Sequence, residues 1–419
     1  MMDQKENSNN KFFYGWVITG VVFLNLAMAY GAQYSFGVFF PSLINEFGWN
    51  RQSISGAFSL YTFMYGILAV ILGPWADRFG PRIVLIFGSA CLGIGIGLIS
   101  QVEAVWHIYV FYGLLASWGM SAAYITAGPT IVKWFVAKRG VALGLAQSGQ
   151  GVGIILIPQL TGALISALGW RLACMVLGAA VFIVLLTMSL FLVGQPEKMG
   201  LKADGQKPSS LPKPERNIQL NFSPEISWST PEAIRTRAFW VLTSVFFLHW
   251  IFVFLPLVHL VIFSLDIGLP KESALWALSI LGGVSALGRL AMGFISDRIG
   301  RKQALMVCLG LQVFSWLWLV GATTSAMLYV FAAVFGFSYG GISTLFSAIV
   351  GDYFGRLQAA SVIGTMFTMA SPSAAVGPLL GGYIFDLTQG YQLAFLLGAL
   401  TNLLSLILLF VAKPPGRNP

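Results

Sequence analysis

Charge is what this sequence has least of. Asp, Glu, Lys and Arg make up 9% of its 419 residues, against about 25% in ordinary soluble domains. With 57% hydrophobic residues and a mean hydropathy of +0.79, that scarcity excludes a water-soluble globular domain and points to a polytopic membrane protein. Cysteine is nearly absent too. Cys91, Cys174 and Cys308 lie in apolar runs, form no CxxC pair and read as small buried hydrophobes. No HExxH, no clustered metal ligands and no Walker A loop are present, so neither a metal nor a nucleotide cofactor is expected. No arrangement of nucleophile and base suggests an enzyme. The 47 glycines make any GxGxxG spacing uninformative.

What is abundant is apolar chain in lengths that cross a bilayer. Runs of about 20 residues predict twelve spans, at 13–42, 52–73, 83–101, 106–132, 140–167, 171–194, 238–265, 273–296, 303–322, 325–350, 358–385 and 391–412. Ala27-Met28-Ala29 has the look of a signal-peptidase site, but the first apolar run continues to about Phe40, too long for a signal peptide, and reads as the first span. The expected organisation is an N-terminal tail (1–12), a six-helix bundle (13–194), a linker rich in Pro, Lys and Glu (195–237), a second six-helix bundle (238–412) and a short tail (413–419).

The net charge of +9 could suggest nucleic acid, but the basic residues fall in short loops. Of the 24 Lys and Arg, 20 belong to the side holding both termini and the linker. Arg51, Arg171 and Lys271 belong to the other side, and Arg289 lies inside a span. The positive-inside rule then makes both termini cytoplasmic, in a cell inner (plasma) membrane protein with no nucleic-acid partner.

The two halves repeat at about 220 residues: GPWADRFGPR (73–82) matches GFISDRIGRK (293–302), and GWRLACMVLG (169–178) matches GYQLAFLLGA (390–399). Six spans repeated in parallel, with Asp77-Arg78 and Asp297-Arg298 in the two corresponding loops, resembles the major facilitator superfamily. The resemblance implies an all-α fold of two six-helix pseudo-symmetric bundles and a carrier working by alternating access. Each Asp ends a helix at the inner surface, where it can meet basic residues or a helix N-terminus. The four residues Asp77, Arg78, Asp297 and Arg298 are therefore expected to form a conformational latch. A narrower resemblance covers the whole chain. Tyr14-Gly15-Trp16, WFVAKRGVALGLAQSGQGVG (134–153), Gly37-Val38-Phe39-Phe40 and FGFSYGGISTLFSAIVGDYFG (335–355) are similar to monocarboxylate transporters and the oxalate/formate antiporter group.

Arg289 is the residue that calls for explanation, because an arginine at mid-membrane depth costs about 2.5–3.5 kcal/mol on insertion scales. The repeat places Ala69 opposite it, so the fold itself does not require a cation there. A guanidinium is a planar fork suited to one carboxylate, and monocarboxylate transporters resemble this chain in having an arginine at the matching place in helix eight. Snorkelling to the inner surface is the plain alternative. Two departures from the family stand out: Ser285 occupies the place of an aspartate tied to proton coupling, and Tyr34 that of a helix-one lysine. Residues 358–385 hold no lysine, unlike oxalate carriers, which argues against a dianion held by two cations. Asp266, Asp352 and Asp386 sit at helix ends, so no carboxylate lies deep in a span. His259 becomes a candidate for the substrate site, ahead of His249, while His107 lies near the outer surface. Tyr34, Tyr124 and Tyr339 fall in helices that line the central cavity in the superfamily. The expected function is transport of a small monocarboxylate of the lactate or pyruvate type by a monomer in the lipid bilayer, in symport with a proton. An organic anion exchanger and a drug or sugar carrier on the same fold are the alternatives.

Overall fold

The computed structural model describes residues 13–135, 139–201, 228–354 and 359–415. Among the described residues, twelve helical spans are long and apolar enough to cross a membrane. The first six are α1 (Gly15–Phe47), α2 (Arg51–Ala76), α3 (Pro81–Gln101), α4 (Val105–Trp134), α5 (Val141–Leu168) and α6 (Trp170–Phe191). The second six are α7 (Arg237–Asp266), α8 (Lys271–Ile299), α9 (Arg301–Val320), α10 (Ser325–Phe354), α11 (Val362–Thr388) and α12 (Gln392–Val411). Among the described residues there is no strand. The expected twelve spans are all present. The first runs about five residues further than the hydropathy suggests, because Pro41 is absorbed within the helix and the polar Asn45 and Glu46 complete its last turn.

An even number of spans puts the described chain ends on one face, the terminal face, and leaves the 1–2 and 7–8 turns on the far face. The turns repeat as the sequence does. On the terminal face, where the helix of α2 runs on to Phe79, a single residue with positive φ, Gly80 (88°) or Gly300 (93°), precedes α3 and α9. This is why each Asp-Arg loop carries that glycine, since a side chain is disfavoured at such φ. On the far face Gly48 (66°) and Gly268 (77°) end α1 and α7 in the same left-handed conformation.

Among the described residues α3 ends in a 3₁₀ turn at Ile99–Gln101, and three spans are irregular within their length. Span α7 breaks between Ile251 and Leu255, one residue before Pro256. Span α11 tightens to a 3₁₀ turn at Ser371–Ala375, where the first Ser-Pro-Ser breaker was expected, whereas the second, Gly377-Pro378, stays helical. Span α4 carries a π-helical stretch at Tyr109–Ala116 that no sequence signal announces.

The helix-five glycines serve close packing, as small residues spaced by four allow. A methyl group on Gly149 or Gly153 would collide with the α1 backbone at Phe23 and Ala27, while Gly144 faces open space. The two halves meet along seams of the same kind. The α5–α8 seam runs from Gly162 against Leu275, through Gln159 donating to Ser279 Oγ at 3.1 Å and Gly151 against Ala286, to Gln150 beside Arg289. The positions on α8 (275, 279, 282, 286, 289) recur every three to four residues, one face of a helix. On the far side Gly37 packs on the Leu257 carbonyl and Gly382 on Arg51.

Candidate functional site

Arg289 lies on the seam face of α8, half-buried, with Gly288 packed against the α10 backbone at Phe337. Its Nη2 donates to Gln150 Oε1 of α5 at 3.2 Å, across the boundary between the halves. Its Nη1 is buried without a protein partner. A buried donor left unpaired costs about 1–3 kcal/mol, more for a charged group, so the guanidinium is poised for one further acceptor.

A cluster of tyrosines lies nearby, reaching Arg289 through Tyr30 and Tyr34 of α1. Tyr34 of α1 and Tyr339 of α10 join their hydroxyls across the halves at 3.2 Å. Tyr30 lies one turn from Tyr34, with ring centroids 6.4 Å apart. Tyr30 is within electrostatic range of Tyr65, Tyr124, Tyr339 and Arg289, and Tyr34 of Tyr339, Tyr30 and Arg289. Tyr124 stacks on Phe367 of α11 at 5.7 Å and is 37% exposed although it lies among these buried groups, so its free surface faces an internal cleft. The structure thus brings together four of the expected site residues, Arg289, Tyr34, Tyr124 and Tyr339. It adds three that sequence reasoning missed: Gln150, Tyr30 and Tyr65. Tyr30 was legible, being four residues before Tyr34 on the same face of α1. Gln150 and Tyr65 had no signal, since nothing in a single sequence says which helices adjoin.

His259 is placed elsewhere. Its Nε2 meets the Pro378 carbonyl at 2.9 Å and its Nδ1 the Tyr391 hydroxyl at 2.8 Å. A carbonyl only accepts, so Nε2 carries the proton and a neutral ring accepts from Tyr391 at Nδ1. Both nitrogens are satisfied within the protein, and the ring packs on Phe40 at 5.2 Å rather than on the Arg289 cluster. His249 is bonded to Asn402 at 2.8 Å inside the second bundle.

His259 instead ends a second polar network, on the far face. The Arg51 guanidinium grips Asp266 through both nitrogens, at 2.5 and 2.6 Å, and donates to Tyr391 Oη at 2.9 Å. It also stacks over the Phe385 ring at 3.5 Å. The Asp386 carboxylate accepts from the backbone N–H groups of Arg51 and Gln52 at 3.1 and 2.9 Å, capping the N-terminus of α2.

The Asp-Arg loops lie at the other end of the molecule. Arg78 is exposed, beside the Phe79 ring, and the Asp77 side chain falls outside the described residues. Asp297 pairs with Arg301 one turn on, Arg301 lies 3.9 Å from Asp352, and Arg298 is exposed. Lys302 donates to the carbonyls of Phe410 and Ala412, tying the end of α12 to α9. Among the described residues no group of three or more His, Cys, Asp or Glu could hold a metal ion.

A cation beside a tyrosine cluster, between two pseudo-symmetric six-helix halves, is the layout of a membrane carrier. The profile described as Major Facilitator Superfamily matches residues 22–315 and 252–419, and the chain belongs to that superfamily. Its relatives include monocarboxylate transporter 12-B of Danio rerio, 25% identical over 412 residues, covering 95% of this chain and 86% of the relative. They also include an oxalate:formate antiporter of Oxalobacter formigenes, 26% identical over 405 residues, covering 96% and 92%. Among solved structures, a bacterial homolog of the human lysosomal transporter Spinster, inward-facing and unoccupied, superposes with a TM-score of 0.73. It is 15% identical and covers 96% of this chain and 97% of its own. That likeness bears on the fold alone. The protein is a transporter, not an enzyme.

Proposed function

We propose that the protein is a secondary active transporter of small monocarboxylates of the lactate or pyruvate type, coupled to protons, in a cell inner (plasma) membrane with both termini cytoplasmic. The observation that carries this reading is the buried, unpartnered Nη1 of Arg289, set between the halves and within electrostatic range of Tyr30 and Tyr34. One carboxylate satisfies that nitrogen and neutralises the charge. The hydroxyls of Tyr34, Tyr124 and Tyr339 then bond the carboxylate or a neighbouring hydroxyl or keto group, and the rings close the cleft. The relatives named as monocarboxylate transporters support the same substrate class.

With the terminal face cytoplasmic, the far-face network closes the outer side and the site is reached from inside. Alternating access then moves the site by rocking one half on the other. In the outward-facing state the latch residues Asp77, Arg78, Asp297 and Arg298 bridge the halves on the cytoplasmic side. His259 serves the site indirectly, by holding Tyr391 and the α11 backbone.

The second reading is carboxylate exchange without net proton movement. It is favoured by the spans themselves, whose described carboxylates, Glu46, Asp266, Glu272, Asp297, Asp352 and Asp386, all lie near helix ends. The test is uptake of labelled L-lactate into proteoliposomes under an inward proton gradient, wild type against Arg289→Ala. Gradient-driven uptake lost in the variant supports symport through Arg289. Uptake that needs internal carboxylate and ignores the gradient supports exchange. Equal transport by both proteins refutes the role of Arg289.

A further inference from the structure

The internal repeat supplies a control for the far-face network. NEFGWNRQ (45–52) aligns with LDIGLPKE (265–272) at the same spacing as the Asp-Arg loops, pairing Glu46 with Asp266, Gly48 with Gly268 and Arg51 with Lys271. The shared left-handed glycines show that the two turns are built alike. The starts of the sixth and twelfth spans align as well, pairing Trp170 with Tyr391 and Arg171 with Gln392.

The two carboxylates nevertheless do opposite things. Glu46 accepts from Arg171 Nη2 at 2.7 Å and from Trp170 Nε1 at 2.5 Å. Arg171 in turn donates to the Ser100 carbonyl at 2.6 Å. This set ties the far ends of α1, α3 and α6 and stays within the first half. In the second half the arginine of that staple is replaced by glutamine, Gln392. Asp266 therefore finds no cation at the corresponding place, and it takes Arg51 from the other half. Tyr391 occupies the place of Trp170, and its hydroxyl accepts from Arg51 and donates to His259.

We infer that Arg51 is the gating residue of the far face, and that Asp266, Tyr391 and Asp386 form its receptor on the second half. Asp266 of α7, Phe385 and Asp386 of α11 and Tyr391 at the start of α12 converge on the first turn of one helix of the other half. No rigid-body opening of that face leaves them joined. The geometry also suits a bond that is made and broken in every cycle. The Asp266 side chain is 28% exposed and that of Arg51 11%, so the pair reaches solvent through the carboxylate, where water can replace the partner when the face opens. A fully buried pair would leave uncompensated charges at that moment. The N-half staple of Glu46 and Arg171, by contrast, holds through both states.

The inference does not depend on which solute is carried, so its test reads conformation rather than transport. Spin labels on Glu103→Cys and Thr324→Cys report the separation of the halves at the far face, one label in an exposed loop of each. The native cysteines are buried. Pulsed electron–electron distance measurements in lipid nanodiscs compare the labelled parent with Asp266→Asn, Arg51→Gln, their combination and Glu46→Gln. The expected result is a loss of the short-distance population in both single variants, no further loss in the combination because both remove the same bond, and the parent distribution in Glu46→Gln. An unchanged distribution in the singles overturns the inference. So does a shift matched by Glu46→Gln, which would mark general loosening, or additive shifts in the combination, which would show that the two residues act apart.

Discussion

Gln150 holds Arg289 with an acceptor that carries no charge, and replacing it by glutamate tests whether that neutrality matters. In the wild type the Nη2–Oε1 bond of 3.2 Å joins a cation to an amide, and a substrate carboxylate competes for the same guanidinium. Gln150→Glu keeps the side-chain length and puts a carboxylate where the amide oxygen stands. The wild-type bond already has one charged partner and contributes about 1.5–3 kcal/mol net; a second, opposite charge adds Coulomb attraction that desolvation partly offsets. The variant therefore stabilises the substrate-free arginine by about 1–2 kcal/mol more than the wild type, which weakens apparent carboxylate affinity about 5- to 30-fold. The reduced dielectric between the halves pushes toward the upper end. Gln150→Ala removes that bond without introducing a competing anion, so it should weaken carboxylate affinity less than Gln150→Glu does. The assay is concentration-dependent uptake of labelled L-lactate in proteoliposomes, with KM and Vmax separated. A KM for Gln150→Glu equal to that of wild type, or lower, refutes the argument that this amide and the substrate carboxylate share one guanidinium.

Other outcomes follow from the same geometry. Tyr339→Phe deletes one partner of the 3.2 Å hydroxyl pair and should raise KM by about 2- to 10-fold with little change in the amount of folded protein, checked by uptake and size-exclusion chromatography. His259→Gln should change KM less than Tyr339→Phe does, because both ring nitrogens are engaged away from Arg289; a larger KM effect would return His259 to the substrate site. Gly153→Leu forces a side chain into the α1 backbone at Ala27, and overpacking of about 1–3 kcal/mol or more should appear as a lower melting temperature in detergent, whereas Gly144→Leu, facing open space, should not lower it.

The sequence shows best what the bilayer enforces. Hydrophobic length fixed the number of spans and the repeat fixed their pairing, because a membrane helix must satisfy its own backbone and so declares itself residue by residue. Arg289 was legible for the related reason that a lone cation in an apolar run has a cost which the chain must offset somewhere. What stayed hidden was adjacency between helices. Gln150 reads as one polar residue among several in SGQGVG, and only the α5–α8 seam turns it toward Arg289. The π-helical turn of α4 is equally silent, whereas the break in α7 is marked by Pro256.

His259 shows where such a reading and the structure part: the ring bonds Tyr391 and the Pro378 carbonyl, away from Arg289. A titratable ring in the apolar span just before the one that carries a lone arginine invites the assumption that both serve one ligand. The assumption treats the interior as a single cavity, whereas this one holds two polar centres at different depths. One is built on Arg289 and the tyrosines of α1, α2, α4 and α10; the other is built on Arg51 at the far face. They share helices rather than side chains: Tyr34 and Phe40 stand on one helix, the first touching Tyr339 and the second the His259 ring. A carrier that alternates between two openings needs its ligand site and its closing contacts on the same moving bodies, but it needs them chemically separate, so that solute binding does not consume the groups that hold one side shut. Departures from the twofold repeat mark both centres. Arg289 stands where the first half has Ala69, and Gln392 stands where the first half has Arg171. Where the halves agree, as at Gly80 and Gly300, the residues serve the shared fold; where they differ in charge, they serve the work that only one half performs.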